Sequence, residues 1–241
     1  MITGEILLKE KIILVIFFCM SSKLFAGPNP ESVVVMSLNI YGWKTMPKHS
    51  GDYARLIEKH NIDILGIQEG VEDWQLDTKL PTNYQRAITL KKSLGKCWQR
   101  KFQIFINHCQ GNTFIDSGRF DLSDGPNASR TGEFAVIEKS NIQYFFINVH
   151  WDHESSKTRI ANAEETIAEL NKKAQYPKIL LGDFNSQCDS TEVSLVKTKA
   201  NMTLLKNAGI DCLFVKGLTG KAKKVAAHPS DHPAIVANLS R

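Results

Sequence analysis

The sequence predicts a single α/β domain over residues 31–241. Short apolar runs rich in β-branched residues recur along this stretch, as they do in buried strands. Segments with helical spacing of apolar residues lie between some of these runs. No internal repeat or low-complexity linker divides the chain. Strands and helices that alternate without a gap indicate one domain whose sheets are covered by helices.

The apolar runs predict the strands, and the spacing of apolar residues predicts the helices. Tyr53, Leu56 and Ile57 follow Ser50 and Asp52 at helical spacing, which indicates a helix that begins near residue 50. A second helix is indicated over residues 160–170, and the turn-rich residues 116–130 are predicted to form a loop. The predicted strands are residues 33–38, 62–67, 102–106, 134–137, 144–149, 178–181, 213–215 and 234–238.

Residues 1–26 have the pattern of a secretory signal peptide. Lys9 and Lys11 precede a run of nine apolar residues, and the small residues Ala26 and Gly27 follow it. A helix needs roughly 20 residues to cross a bilayer core of ~30 Å, so this run is too short. The alternative is an ordinary buried first helix. We expect cleavage near Ala26 and a secreted or periplasmic mature chain that does not insert stably into a membrane.

Composition and charge narrow the class of protein. The 241 residues are 42% hydrophobic and 23% charged, which is typical of a globular protein and excludes a disordered or collagen-like chain. The net charge of +5 permits a polyanionic partner but is low for a dedicated nucleic-acid-binding domain. Cys97, Cys109, Cys188 and Cys212 follow the predicted cleavage site. An even number of cysteines in an oxidising compartment indicates disulfides, with three pairings open, and four free thiols are the alternative.

Polar residues adjoin the ends of several predicted strands. Their side chains would emerge at the edge of a sheet, where convergence of the strand ends would bring carboxylates, amides and imidazoles together. Oxygen ligands of this kind suit a hard divalent cation, and histidine can supply an acid or a base. Each residue alone has an ordinary explanation as a turn or surface residue. The set is Asn39, Gln68, Glu69, His150, Asp152, Asp183, Asn185, Asp211, Asp231 and His232.

The segments around these residues resemble the motif set of the endonuclease/exonuclease/phosphatase superfamily, which includes pancreatic-type deoxyribonuclease. The resemblance runs in order through nearly all of the predicted mature chain. Its Gly-Asp-Phe-Asn and Ser-Asp-His motifs are specific when they occur together. It implies a four-layer α/β sandwich, two packed mixed β-sheets flanked by helices, with the site at one edge of the sheets. The matching segments are residues 36–39, 63–69, 148–153, 181–186, 209–211 and 230–233.

The resemblance also implies that a divalent metal ion, Mg²⁺ or Mn²⁺, takes part in hydrolysis of a phosphate ester. By motif, Glu69 would bind the ion, and Asn39 and Asp231 would complete or support its coordination shell. Mg²⁺ keeps most of its water ligands, so one or two carboxylates are enough to hold it.

The same resemblance implies five catalytic residues. Asp183 would orient and polarise the attacking water, and Asn185 would stabilise the transition state. His232, paired with Asp211, would act as general base or charge stabiliser, since a carboxylate orients a neighbouring imidazole. His150 would hold a phosphate oxygen or the leaving group. These roles suit a reaction that depends on positioning and on neutralising charge at the phosphate oxygens.

The chain departs from the deoxyribonuclease branch beside His150. In that branch an acidic residue just before the strand at 102–106 supports the histidine, whereas this chain has Gln99, Arg100 and Lys101 there. His150 therefore lacks an evident carboxylate partner. The AP-endonuclease branch is disfavoured, because the lysine that usually follows the metal-binding glutamate is absent after Glu69.

The resemblance also bears on the disulfides. Cys188 follows the Asp-Phe-Asn motif as a disulfide cysteine does in the deoxyribonuclease branch, and Cys212 lies next to Asp211. We expect Cys188 to be bonded to Cys212. We expect the second bond between Cys97 and Cys109, which lie on either side of the strand at 102–106.

The most strongly indicated activity is that of an exported, monomeric nuclease acting on DNA or RNA. Residues 91–101 offer five cations and Trp98 for phosphates and a base, although a solvated hairpin loop explains them equally well. The alternative is a phosphatase or a phospholipase C-like enzyme of the sphingomyelinase type, acting on a small or lipid phosphoester. A non-catalytic binding or toxin-like module on the same fold is less well supported, since the metal and water positions carry residues of a competent type.

Overall fold

A computed structural model describes residues 32–70, 85–126 and 129–241, so the predicted signal peptide, 1–26, lies outside the described residues. The strands are β1 (Val33–Asn39), β2 (Ile64–Gln68), β3 (Trp98–Lys101), β4 (Ile104–Asn107), β5 (Thr113–Leu122), β6 (Arg130–Lys139), β7 (Ile142–His150), β8 (Lys178–Asp183), β9 (Thr203–Asn207), β10 (Asp211–Lys216), β11 (Thr219–Val225) and β12 (Ala234–Ser240). The α-helices are α1 (Gly42–Thr45), α2 (Ser50–Lys59), α3 (Gln85–Leu94), α4 (Ser156–Lys172) and α5 (Thr191–Lys199). Within the described ranges, no helix is both long enough and apolar enough to cross a membrane.

The described strands form two six-stranded sheets. Their orders are β11-β12-β1-β2-β4-β3 in the first sheet and β5-β6-β7-β8-β10-β9 in the second. Each sheet has a parallel pair at its centre, β1 with β2 and β7 with β8. The other neighbouring strands are antiparallel. Because parallel strands run in one direction, the carboxyl ends of each central pair lie at the same edge of their sheet.

The sheets pack face to face, and helices cover both outer faces. Val35 and Phe146, from opposite sheets, lie in one buried cluster between them. Tyr53 of α2 and Leu90 of α3 pack on the outer face of the first sheet, and Ile167 of α4 packs on that of the second. Burying each such side chain contributes about 1.5–3 kcal/mol to stability. The predicted four-layer α/β sandwich of two mixed sheets is confirmed.

The sequence predicted the interior strands of the two sheets and missed their edge strands. The observed strands β1, β2, β4, β6, β7, β8, β10 and β12 coincide with the predicted ones to within a few residues. The missed strands β3, β5, β9 and β11 are the outermost strands of the two sheets. The predicted loop over 116–130 is wrong for residues 116–122, which belong to β5, and for residue 130, which begins β6. This strand lacks a continuous apolar run because much of it is exposed at the sheet edge.

The segment 91–101 does not offer an exposed aromatic ring for a base. Trp98 is only 4% exposed and belongs to the core beneath α2 and α3. Trp98 is the first residue of β3, opposite Asn107 of β4. Because β3 runs in the same direction as β2, its first residue lies at the end of the sheet away from the carboxyl end of β2. The interpretation of Trp98 as a base-stacking residue is therefore wrong, because its ring fills the core.

Both predicted disulfides are present. Cys188 is bonded to Cys212 with a Cα–Cα distance of 5.9 Å, and Cys97 to Cys109 with a Cα–Cα distance of 5.1 Å. The first bond ties the segment between β8 and α5 to β10. It thus stabilises the relative positions of two strands that each carry a predicted site residue at one end.

Candidate active site

Three predicted site residues lie side by side across the second sheet. His150 ends β7 opposite Asp183, the last residue of β8. Asp211 begins β10 and also lies opposite Asp183. Residues opposite one another on neighbouring strands project from the same face of a sheet. Asp183 therefore has an imidazole on one side and a carboxylate on the other.

The first sheet contributes Asn39 and Glu69. Asn39 ends β1 opposite Gln68, and Glu69 follows at the carboxyl end of β2. The Asn39 amide nitrogen lies 3.3 Å from Glu69 Oε1 and 3.1 Å from Asp183 Oδ2, so it joins the two sheets. Asn39 Oδ1 accepts a hydrogen bond from the Tyr41 backbone N–H at 2.9 Å, which orients the amide.

Left-handed backbone conformations occur at three positions around the site. The φ angles of Tyr41, Glu69 and Asn185 are 46°, 60° and 48°. Such conformations cost non-glycine residues of order 1–3 kcal/mol and are concentrated at functional sites. At Asn185, the turn directs the backbone N–H to Asp183 Oδ1 at 2.8 Å. The Asn185 side chain donates to the Trp151 carbonyl at 2.8 Å, so the turn is held from both sides.

The loop between β11 and β12 brings His232 to the site. His232 Nδ1 lies 2.8 Å from Asp211 Oδ2, and its Nε2 lies 3.8 Å from Asp183 Oδ2. Ser230 fastens this loop to the first sheet: its hydroxyl donates to the Asn39 carbonyl at 2.7 Å and accepts from the His232 N–H at 3.0 Å. The His232 ring is therefore held by a carboxylate on the second sheet, and its backbone by a hydroxyl anchored to the first.

Burial and charge shift the pKa values of this cluster. Burial first, and then the charge of Asp211, raise the pKa of Asp183 to about 7. Burial is also the main cause of the raised pKa values of Glu69 and Asp211, to which the charge of the exposed Asp231 adds. Burial alone would lower the pKa of His232, but the hydrogen bond and charge of Asp211, with other nearby carboxylates, raise it to about 9.

His150 has a different kind of partner. Arg130, at the start of β6, has Nη1 3.1 Å from His150 Nδ1 and Nη2 3.1 Å from His153 Nδ1. His150 Nε2 lies 3.6 Å from Asp183 Oδ2. Burial first, and then the charge of Arg130, hold the pKa of His150 well below its ordinary value. The sequence interpretation missed Arg130, because an arginine that follows a turn-rich segment carries no distinctive signal.

Two adjoining groups of residues can hold a metal ion. Asp183, Asp211 and His232 offer ligand atoms that all lie within 4.8 Å of one another. Beside them, Glu69 Oε2 is buried and has no hydrogen-bond partner among the described residues. A buried carboxylate oxygen without a partner is costly, and coordination of a cation would satisfy it. Asn39 holds the other Glu69 oxygen and so orients the carboxylate.

Asp152, another residue of the strand-end pattern, has a structural contact instead. It is fully buried, and its Oδ2 accepts the backbone N–H groups of Glu154 at 3.0 Å and Ser155 at 2.6 Å. These bonds shape the turn that leads into α4. The residues that the structure brings together at the edge of the two sheets are Asn39, Glu69, His150, Asp183, Asn185, Asp211, Asp231 and His232.

The four-layer sandwich, with carboxylates, amides and imidazoles gathered at one edge of its sheets, is a phosphoesterase fold. Residues 36–232 match the model of the Endonuclease/Exonuclease/phosphatase family. The chain therefore belongs to this family, whose members are phosphatases and nucleases and generally depend on divalent metal ions.

Solved structures with the same fold include a phosphatase and a protein of unknown function. A functionally unknown conserved protein from Enterococcus faecalis is 21% identical, with 86% of this chain and 99% of that chain covered and a TM-score of 0.70. A Bacteroides thetaiotaomicron mannosyl-6-phosphatase is 18% identical, with 87% and 100% covered and a TM-score of 0.68. The human Nocturnin catalytic domain with bound sulfate is 18% identical, with 88% and 95% covered and a TM-score of 0.64. At these identities the similarity establishes the fold alone. A comparison with curated protein sequences finds no significant match.

Proposed function

We propose that this protein is a divalent-metal-dependent phosphoesterase that hydrolyses phosphodiester bonds of DNA or RNA. The observation that carries the proposal is the position of Asp183 Oδ2, 3.6 Å from the Nε2 of His150 and 3.8 Å from the Nε2 of His232. A carboxylate between two imidazoles can orient a water molecule while both rings face the phosphate that this water attacks.

Asp183 is the residue that receives a proton from the attacking water. Its pKa of about 7 makes it an effective acceptor near neutral pH. Asn185 and Asn39 donate to its two oxygens, so the carboxylate is already oriented. As the water oxygen bonds to phosphorus, the bond to the leaving oxygen breaks and that oxygen takes up a proton from solvent, while charge on the phosphate oxygens must be stabilised. With a pKa of about 9, His232 is charged at neutral pH, which favours charge stabilisation over the general-base role.

Glu69 is the proposed ligand for Mg²⁺ or Mn²⁺, with Asn39 orienting it and Asp231 nearby. The buried and unpartnered Oε2 of Glu69 supports this assignment. When bound, the ion supplies Lewis acidity to the phosphate oxygens. Purified protein should lose nearly all activity in EDTA and regain it with Mg²⁺ or Mn²⁺. Full activity in excess chelator would rule out the metal-dependent mechanism.

Substitution of Glu69 tests where the ion binds. Glu69→Gln should raise the metal concentration needed for half-maximal activity, because the ion loses an anionic oxygen. The comparison variant is His232→Ala, in the other group of candidate ligands. If His232→Ala raises the metal requirement and Glu69→Gln does not, the ion is held by Asp183, Asp211 and His232 instead.

Cations on both sides of the site support a nucleic-acid substrate. Lys221, Lys223 and Lys224 are exposed on β11, an edge strand that runs parallel to β1. Lys224 is close enough to Asp211 to oppose the increase of its pKa caused by burial. Arg130 lies on the opposite side, beside His150. Exposed lysines of this kind contact the phosphates that flank the one being cleaved, whereas Arg130, whose Nη1 and Nη2 contact histidine rings, adds positive charge that attracts a polyanion.

A phosphatase acting on a sugar phosphate is the second candidate, and the fold similarity to the mannosyl-6-phosphatase supports it. The two candidates separate in one assay with Mg²⁺ on plasmid DNA, RNA, mannose 6-phosphate and sphingomyelin. We expect cleavage of DNA or RNA. Release of phosphate from the sugar ester alone would establish the second candidate, and hydrolysis of sphingomyelin alone would establish a phospholipase C-like enzyme.

We also infer that the chain is exported. The basic flank, short apolar run and small residues near Ala26 support this, as do the two disulfides. Amino-terminal sequencing of protein from the periplasm or culture medium should give a mature chain that begins near Gly27. An intact Met1 on active protein in the cytoplasm would contradict export.

A further inference from the structure

Arg130 holds two histidine rings at once. Its Nη1 and Nη2 atoms each lie 3.1 Å from the Nδ1 of one ring, His150 and His153 respectively. Its backbone N–H donates to Asp124 Oδ1 at 3.0 Å, which fixes the point where the side chain departs from β6. Among the described residues, Arg130 forms no ion pair with a carboxylate. The two terminal nitrogens of the guanidinium thus each contact a histidine ring.

The chemistry of the guanidinium decides the tautomer of both rings. A guanidinium only donates hydrogen bonds, so each Nδ1 must accept and cannot carry a proton. The hydrogen of each neutral ring is then on Nε2. The Nε2 of His150 faces Asp183 Oδ2 at 3.6 Å, and the Nε2 of His153 faces Glu154 Oε1 at 3.5 Å. In both rings the Nε2 that carries the hydrogen in this tautomer lies beside a carboxylate oxygen, although farther from it than a normal hydrogen bond. The tautomer assignment therefore rests on the two Arg130 contacts.

We propose that Arg130 is a positioning residue for the reaction described above: it fixes His150 in the Nε2-protonated tautomer and directs that N–H at the phosphate beside Asp183. The role of His150 towards the phosphate rests on the proposed function, whereas its tautomer rests on the contacts of Arg130 alone. Arg130 thus supports His150 in place of the carboxylate that the sequence does not provide.

Kinetics of Arg130 variants test the positioning role. Arg130→Met removes both donors and should lower kcat about 10–100-fold, the range for loss of a group that orients an active-site ligand, with little change in KM. Arg130→Gln keeps one amide donor for His150 and should recover part of the loss. The control is Arg55→Met, which removes an exposed arginine of α2 and should leave kcat unchanged. Thermal unfolding of each variant shows whether the fold is intact.

Two kinetic results would overturn the proposal. An increase of KM with unchanged kcat in Arg130→Met would mean that Arg130 binds the substrate equally in the ground and transition states. Equal activity of Arg130→Met and wild type would mean that the contact with His150 has no effect on turnover.

A spectroscopic measurement separates this proposal from the proposed function. In ¹⁵N-histidine-labelled protein with EDTA and no substrate, the His150 Nδ1 should resonate as an unprotonated nitrogen, and Arg130→Met should shift it towards the protonated range. His150→Gln identifies the signal. A protonated Nδ1 in the wild type would refute the tautomer. A protein that shows the expected shift but hydrolyses no phosphate ester would refute the proposed function and retain the Arg130–His150 assignment.

Discussion

Two histidines flank Asp183 at nearly equal distances but have opposite partners. His232 Nε2 lies 3.8 Å and His150 Nε2 lies 3.6 Å from Asp183 Oδ2. The Nδ1 of His232 lies 2.8 Å from the Asp211 carboxylate, whereas the Nδ1 of His150 lies 3.1 Å from the Arg130 guanidinium. Burial disfavours the charged form of both rings. At His232 the hydrogen bond and charge of Asp211, with other nearby carboxylates, outweigh burial and raise the pKa to about 9. At His150 burial, with the charge of Arg130 added to it, holds the pKa well below its ordinary value.

This difference indicates that the two rings have different tasks. At neutral pH one ring is a cation and the other is a neutral donor, although both face the same carboxylate. Environments that push the pKa values of neighbouring groups apart are typical of sites that divide charge stabilisation and hydrogen bonding between residues. Four experiments would break or sharpen this comparison.

The largest effect is expected on the carboxylate-paired side. His232→Ala and Asp211→Ala should each lower turnover roughly 10²–10⁴-fold, the range for loss of acid–base or charge assistance. The double variant should be little worse than the worse single variant, because the two side chains act as one unit. Steady-state rates and thermal unfolding curves of the three proteins check this. If folded His232→Ala keeps more than about a tenth of the wild-type rate, the role of the pair is misassigned.

A smaller effect is expected on the arginine-paired side. His150→Ala should lower kcat about 10²–10³-fold, as does loss of one donor to the developing charge. His150→Gln offers an amide N–H and should retain more activity than His150→Ala. The corresponding pair His232→Gln and His232→Ala should show no such recovery, because a neutral amide cannot replace a cation. Equal rates of His150→Gln and His150→Ala would assign the ring a proton-transfer role.

The sequence predicts the interior of this fold better than its edges, for a physical reason. An interior strand such as β8 is buried along its whole length, so its sequence contains an apolar run. The edge strand β11, Thr-Gly-Lys-Ala-Lys-Lys-Val, is largely exposed and rich in lysine. Lysine at an edge discourages pairing with another chain, but it also removes the signal that would identify a strand.

The same reasoning applies to the site. Asp183 and Glu69 follow apolar strands and belong to specific motifs, so sequence alone is enough to propose them. Arg130 could not be found in this way, since its contact with His150 spans 20 residues and depends on the register of β6 with β7. Ser230 belongs to a recognised motif, but its link to Asn39 joins residues 191 positions apart in the chain. Contacts that depend on tertiary packing leave no local pattern.

Stability as a function of pH should separate the two histidines in the metal-free protein. The folded pKa of His232 is raised, so its stabilisation should be present below about pH 6.5 and be lost as the pH rises through about 9. The folded pKa of His150 is lowered, so the unfolded state binds the proton more readily and stability falls as the pH drops below about 6.5.

Urea unfolding in EDTA from pH 5 to 10 measures both effects. His232→Ala should cost about 1.5–3 kcal/mol at pH 6, the range for a hydrogen bond to a charged group, and less at pH 10. Relative to wild type, His150→Ala should become more stable as the pH falls from 8 to 5. The same pH trend in both variants would show that the partners do not set the charge of the rings.

The smallest effect concerns Ser230, which fastens the His232 loop but touches neither ring. Its hydroxyl is buried and links the Asn39 carbonyl to the His232 backbone N–H. Ser230→Ala should cost about 0.5–1.5 kcal/mol in stability, the net value of a neutral hydrogen bond. Turnover should fall by less than about 10-fold, because the Asp211 contact still holds the His232 ring while its backbone is held less firmly. Ser230→Thr keeps the hydroxyl and should restore most of the rate. If Ser230→Ala instead matched His232→Ala in turnover while remaining folded, the loop anchor rather than the Asp211 carboxylate would control the position of the charged ring, and the contrast between the two histidines would need another cause.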